Sequence, residues 1–323
     1  MESVENRKLL VDLLNADLQG EHGAIIQYLY HAWTLDLPGI SSTLEGIARD
    51  EMYHFQWLAQ HIKELGGEPS IHRAPVLFEA PTFRELMLLN ARTEDDAIAH
   101  YWEHVAEIDD EATVKLLERI VSDEQGHAKT FIALADEVEG RAEEIEAAEA
   151  GDRSPEAEVK RQRLLDMLNA GVRHEYSVVL QYLHQAYTAD DARLGHSLEQ
   201  SAIVEMKHMG WLAEHVAEMG GDPEVERNKL VLADNVEDML KANIADEEKA
   251  LALYDEQIEE IDDSELKGLL AEIRYHEEYH EYEFRRWLKK AVERREAENR
   301  SDKPAARRGN QFTVGSLFRG DGS

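Results

Sequence analysis

The chain is written twice. The stretch LLNADLQGEHGAIIQYLYHAWTLD, from Leu13 to Asp36, returns 154 residues later as MLNAGVRHEYSVVLQYLHQAYTAD, from Met167 to Asp190. Leu14, Asn15, Glu21, Gln27 and Tyr28 match Leu168, Asn169, Glu175, Gln181 and Tyr182. Further on, Glu51, Met52, His54 and Trp57 match Glu205, Met206, His208 and Trp211, and the pair Gly66-Gly67 matches Gly220-Gly221. After one loop the displacement becomes 153, and Glu103, Glu124 and His127 match Glu256, Glu277 and His280. A repeating unit of about 140 residues is too long for a solenoid. The duplication therefore specifies two copies of one domain, each long enough to bury its own core.

Within a copy, helical periodicity runs over residues 4–33, 42–65, 83–108 and 111–145, and the strand signal is weak. Pro38-Gly39 separates the first two helices, Gly66-Gly67 stops the second, and a longer stretch from Glu68 to about Pro81 leads to the third. Two short connections and one long crossover describe a four-helix bundle. The expected architecture is all-α: a bundle over 1–147, a linker over 148–157 hinged at Gly151, Ser154 and Pro155, a second bundle over 158–298, and a disordered tail over 299–323.

Composition narrows the function. Lys and Arg number 35 against 68 Asp and Glu, a formal charge of −33. That excess argues against nucleic-acid binding and against an anionic membrane surface, both of which need basic faces, and it favours cations. There is no cysteine. Disulfides, iron–sulfur clusters, thiolate zinc sites and cysteine nucleophiles are excluded. No apolar run is long enough to span a membrane, and the start MESVENRKLL lacks the apolar core of a signal peptide, so a cytoplasmic location is expected.

The chemistry lies where apolar stripes are interrupted. The second helix reads Leu44, Ile47, Ala48, Glu51, His54, Phe55, Leu58, Ile62 at the spacing of a buried face. The fourth reads Leu117, Ile120, Glu124, His127, Phe131, Leu134. The second copy does the same at Glu205 and His208, and at Glu277 and His280. Residues three apart share a helix face, and an unpaired buried carboxylate is very costly. The first and third helices are each expected to add one carboxylate: Glu21 and Glu103, then Glu175 and Glu256. Four carboxylates and two neutral imidazoles balance two divalent cations, and mixed oxygen and nitrogen donors suit iron, with manganese as the alternative.

These segments resemble the ferritin-like superfamily, bacterioferritins above all. The resemblance is carried by LNADLQGEHGAIIQYLYHA, DEMYHFQWLAQHIKELGGEP and YWEHVAEIDDEATVKLLERIVSDEQGH with their duplicates. It implies a di-iron ferroxidase centre in each copy. Glu51 and Glu124 would bridge, with Glu21 and His54 on one iron and Glu103 and His127 on the other. Glu205 and Glu277 would bridge in the second copy, capped by Glu175 with His208 and Glu256 with His280. The resemblance also implies a hydrogen-bonding role behind the ligands for Tyr28 and Tyr182, and haem ligation between copies by Met52 and Met206. Core packing is the competing reading of these tyrosines and methionines.

The tail QFTVGSLFRG, within 311–320, resembles the cargo peptides that load enzymes into encapsulin shells, on Phe312, Thr313, Val314, Gly315, Ser316 and Leu317. It implies an encapsulin partner and a location inside that compartment, and it leaves a homo-oligomer open. The leading expectation is a ferroxidase using O₂ or H₂O₂ and delivered as encapsulin cargo. A manganese catalase, a peroxidase, a ferritin-like oxygenase and a non-catalytic iron-binding cargo are the rivals.

Overall fold

The computed structural model describes residues 4–35, 37–139, 154–233 and 235–301. Among the described residues there are eight helices and no strand. They are α1 (Val4–Thr34), α2 (Pro38–Glu64), α3 (Phe83–Glu107), α4 (Glu111–Glu139), α5 (Pro155–Thr188), α6 (Ala192–Glu218), α7 (Val236–Glu260) and α8 (Ser264–Ser301). The segment QFTVGSLFRG lies outside the described residues. Three boundaries differ from expectation: α5 begins at Pro155, inside the expected linker, α8 runs on to Ser301, and α2 starts early. Helix α2 begins at Pro38 rather than four residues later, because Pro38 takes the first turn, where a missing N–H costs nothing.

The duplicated glycine pair ends α2 and α6 by the same geometry. Gly66 and Gly220 have φ of 79° and 70°, the left-handed region that favours glycine. The Gly66 N–H donates to the Lys63 carbonyl at 2.8 Å and the Gly67 N–H to the Ile62 carbonyl at 2.9 Å, and Gly220 and Gly221 repeat this on Ala217 and Val216. The last carbonyls of each helix are thereby satisfied. The second glycine serves packing: a Cβ on Gly67 would come within 2.5 Å of Val11, and one on Gly221 within 2.6 Å of Leu165.

The crossover after α2 is held by side chains of α1. Asn15 Oδ1 accepts from the Ser70 N–H at 2.7 Å, and Gln27 Oε1 from the Leu77 N–H at 2.9 Å. Asn169 and Gln181 do the same for Glu224 and Val231. The repeated Asn and Gln are thus fasteners for a loop whose backbone would otherwise be unpaired.

Each bundle has two apolar layers with a polar layer between them. In the first, Leu14, Leu18, Phe55, Leu58 and Ile120 fill one end. Tyr28, Leu44, Met87 and Phe131 fill the other. The two bundles meet reciprocally, α1 against α6 and α2 against α5. Trp33 and Ile26 enter the core of the second bundle. Tyr187, the duplicate of Trp33, enters the first. His22 and Tyr176, also duplicates of one another, meet at 2.8 Å between His22 Nε2 and the Tyr176 hydroxyl. Equivalent residues meeting in this way define a pseudo-twofold axis. Arg73 clasps the joint, donating to the Val225 carbonyl at 2.5 Å and pairing with Glu226 at 2.7 Å.

Candidate metal centres

The polar layer of each bundle gathers one carboxylate from each outer helix and a Glu–His pair from each ExxH helix. In the first bundle, Glu21, Glu51, His54 and Glu124 form one set of ligand atoms and Glu51, Glu94, Glu124 and His127 a second, each lying within 4.8 Å of one another. In the second bundle the sets are Glu175, Glu205, His208, Glu277 and Glu205, Glu247, Glu277, His280. None of these twelve residues is more than 7% exposed. Glu51 and Glu124, and Glu205 and Glu277, belong to both sets of their bundle.

The third-helix ligands differ from those expected. Glu103 and Glu256 are exposed and stand apart from the clusters, and Glu94 and Glu247 take their place. Nine residues separate each expected glutamate from the observed one. At 3.6 residues per turn this is about two and a half turns, which puts Glu103 on the opposite face of α3. A signal for Glu94 was present: Glu21 is followed by Tyr28 seven residues on, and Glu94 by Tyr101 at the same interval.

These tyrosines are arranged crosswise. The Tyr101 hydroxyl donates to Glu21 and that of Tyr254 to Glu175. The Tyr182 hydroxyl donates to Glu247 at 2.6 Å. Tyr28 is fully buried beside Glu94, and its hydroxyl completes no comparable bond. Tyr101 and Tyr254 were missed by sequence reasoning, whereas Tyr28 and Tyr182 lie beside the expected layer. Met52 is half buried in the apolar cluster that Tyr187 joins, and Met206 is half buried on α6.

All four imidazoles face the carboxylates with Nδ1. His54 Nδ1 lies 2.8 Å from Glu51 Oε2 and 3.0 Å from Glu124 Oε1. His127 Nδ1 lies 2.9 Å from Glu51 Oε1 and 3.0 Å from Glu124 Oε2. His208 Nδ1 approaches Glu205 and Glu277 at 2.8 and 2.9 Å, and His280 Nδ1 approaches them at 2.6 and 3.4 Å.

Crowding and burial displace the proton equilibria strongly. Burial pushes Glu21 and Glu94 well above the carboxylate range, helped by the charges of Glu124 and Glu51. Burial and the Glu277 charge raise Glu175 to about 8, and Glu247 rises well above its ordinary value for the same reasons. Burial would lower the imidazoles, but their carboxylate partners outweigh it. His54 is held far above its usual value, chiefly by Glu124, Glu21 and Glu51. His127 and His280 rise to about 10. Against its own burial, Glu124 is drawn down to about 2 by His127 and His54.

Such a cluster fits a pair of cations. Buried oxygens of Glu51, Glu94, Glu124, Glu205 and Glu277 and the Nδ1 atoms of His208 and His280 crowd together without well-aligned hydrogen bonds, as donor atoms converging on a metal would. No described helix is long and apolar enough to cross a membrane.

The chain is similar to known proteins over both of its halves. The ferritin-like domain matches residues 11–140 and again 165–293. A bacterioferritin from Desulfovibrio desulfuricans is 32% identical over 130 residues, spanning 38% of this chain and 73% of that protein. A 3-demethoxyubiquinol 3-hydroxylase from Pseudomonas fluorescens is 29% identical over 142 residues, spanning 40% of this chain and 66% of the enzyme. An X-ray structure of the D. desulfuricans bacterioferritin, described with its diiron site in different catalytic states, aligns with a TM-score of 0.40 at 28% identity, covering 42% of this chain and 83% of that one. With the domain matched over both copies, the chain belongs to the ferritin-like family, as two of its domains in one polypeptide.

Proposed function

We propose that each bundle binds two transition-metal ions and that the chain is a ferroxidase, taking Fe²⁺ as substrate and oxidising it to Fe³⁺ with O₂ or H₂O₂. One observation carries this reading. Glu51 and Glu124, and likewise Glu205 and Glu277, each belong to both ligand sets of their bundle. A carboxylate shared by two sets holds two ions close together, so that two electrons can reach one oxidant from a single site. The bound iron supplies those electrons.

The chain's own groups prepare the site. Four carboxylates per bundle offset two divalent charges, which selects M²⁺ pairs over monovalent ions. The tyrosine hydroxyls on Glu21, Glu175 and Glu247 fix the terminal carboxylates. The net charge of −33 raises the local cation concentration.

The hydroxylase relatives suggest an oxygenase acting on an apolar substrate. Such a reaction needs a cavity beside the metals. One cavity of about 530 Å³ lies between the bundles, lined by residues including Tyr30, Phe78, Phe83 and Asp222, with no cluster residue among its walls. The ferroxidase reading rests on the carboxylates common to both ligand sets. Anaerobic loading of the metal-free chain with Fe²⁺, followed by rapid mixing with O₂, tests it. Fast oxidation of two irons per working bundle is expected. Absence of a fast phase would refute it and make manganese with H₂O₂ the next pair to assay.

The resemblance of Phe312, Thr313, Val314, Gly315, Ser316 and Leu317 to cargo peptides supports a second element of the proposal, that the chain travels inside an encapsulin shell. A short apolar segment can order in a groove of a shell wall. Co-expression with an encapsulin shell should co-sediment the full chain but not one ending at Asn310. Equal retention of both would refute this element.

A further inference from the structure

The two centres share their six ligand types but differ in what stands behind the imidazoles. In the first bundle, Asp123 Oδ2 lies 3.6 Å from the outward Nε2 of His54, and Asp50 Oδ2 lies 3.5 Å from Nε2 of His127. The duplicated positions carry His276 and Val204. His276 Nδ1 lies 2.9 Å from His208 Nε2, with the two rings 7° from parallel. Val204 offers His280 no acceptor.

At 3.5–3.6 Å the two aspartates act on the rings through their charge rather than through a direct hydrogen bond; a carboxylate facing the outward N–H of a ligand imidazole favours the tautomer that leaves Nδ1 free for metal and makes that Nδ1 a stronger donor. A neutral imidazole is a weaker acceptor than a carboxylate, and an isopropyl group is none. Asp123 shares its charge with Arg119 at 3.2 Å, which tempers its effect. Asp50 is 59% exposed, so it also offers an arriving cation a carboxylate at the surface, directly beside a ligand.

We infer that the centres are unequal by design of this outer layer: the first bundle binds its metal pair more tightly and fills first, and the second exchanges its ions more readily. Asp50 and Asp123 are positioning residues for the first centre, and His276 is the positioning residue for the second. The inference rests on the clusters being metal sites.

The test is an anaerobic titration of the full-length, metal-free chain with Co²⁺, which reports by heat and by visible absorption without turnover. Two classes of two ions are expected, separated by roughly 10–100-fold in affinity. The double substitution Asp50→Val with Asp123→His should bring the tight class to the level of the weak one. The reverse pair, Val204→Asp with His276→Asp, should tighten the weak class, a gain that misfolding cannot mimic. One class of four equal ions, or a pattern that neither double variant moves, would overturn the inference while leaving the metal centres standing. Absence of Co²⁺ binding would overturn both.

Discussion

Loading the metal-free chain with divalent metal at neutral pH is expected to expel protons, and the structure sets a lower bound on their number. In the first bundle His54 and His127 are held above neutrality, and Glu21 and Glu94 lie well above the carboxylate range. The two imidazoles bind metal deprotonated, so at least two protons should leave as the pair fills, and the raised Glu21 and Glu94 add to that number. The second bundle gives at least three, from His208 at about 12, His280 at about 10 and Glu175 at about 8, and the raised Glu247 adds to them. One proton is worth about 1.4 kcal/mol per pH unit. The binding free energy of a pair should therefore improve by at least about 3–4 kcal/mol per pH unit near neutrality. The slope flattens above about 8, where Glu175 loses its proton unaided. Calorimetry with Zn²⁺ in buffers of different ionisation enthalpy measures the proton count directly. Carboxyls and imidazoles at ordinary values would release almost none at pH 7, and that result would refute the reasoning.

The same shifts set the pH dependence of the metal-free fold. Glu175 keeps its proton to about 8 when folded and loses it at ordinary carboxylate pH when unfolded. The folded state therefore binds more protons across that window, and stability falls as pH rises through it. His280, raised to about 10, extends the loss from the ordinary imidazole value upward, whereas Glu124, held at about 2, costs stability only on acidification. Thermal melts of the metal-free chain should accordingly be higher at pH 5 than at pH 8. Glu94→Gln should remove a metal ion from the first bundle in a binding titration while Glu103→Gln leaves the count unchanged; equal effects would contradict the placement of α3. Gly67→Ala, whose Cβ would press on Val11, should cost about 1–3 kcal/mol in denaturant unfolding.

The ExxH helices were legible because a Glu and a His interrupt otherwise apolar series, so the burial of Glu51, His54, Glu124 and His127 follows from spacing alone. Helix α3 gave no such contrast. Glu94, Asp95, Asp96, Glu103 and Glu107 spread charge over its faces, and the choice among them required the interval from Glu94 to Tyr101. Pro38 looked like a breaker and is an initiator, a distinction set by its place in the first turn of α2. The difference between His22 and Tyr176 resembles drift between duplicates in sequence. Only the packing of α1 and α2 against α5 and α6 reveals that the two residues touch.

That contact has a consequence for how such a molecule can change. An interface between identical subunits must present the same residue from both sides of its axis, so His would meet His, or Tyr would meet Tyr. Joined in one polypeptide, the halves can pair His22 with Tyr176, and can send Trp33 into one core and Tyr187 into the other. The connection also holds the partners at an effective concentration that can reach millimolar, so dilution that would part a free dimer leaves the halves together. Neither half needs an interface strong enough to find its mate in solution, and each is free to lose or gain residues that a homodimer would have to change twice at once.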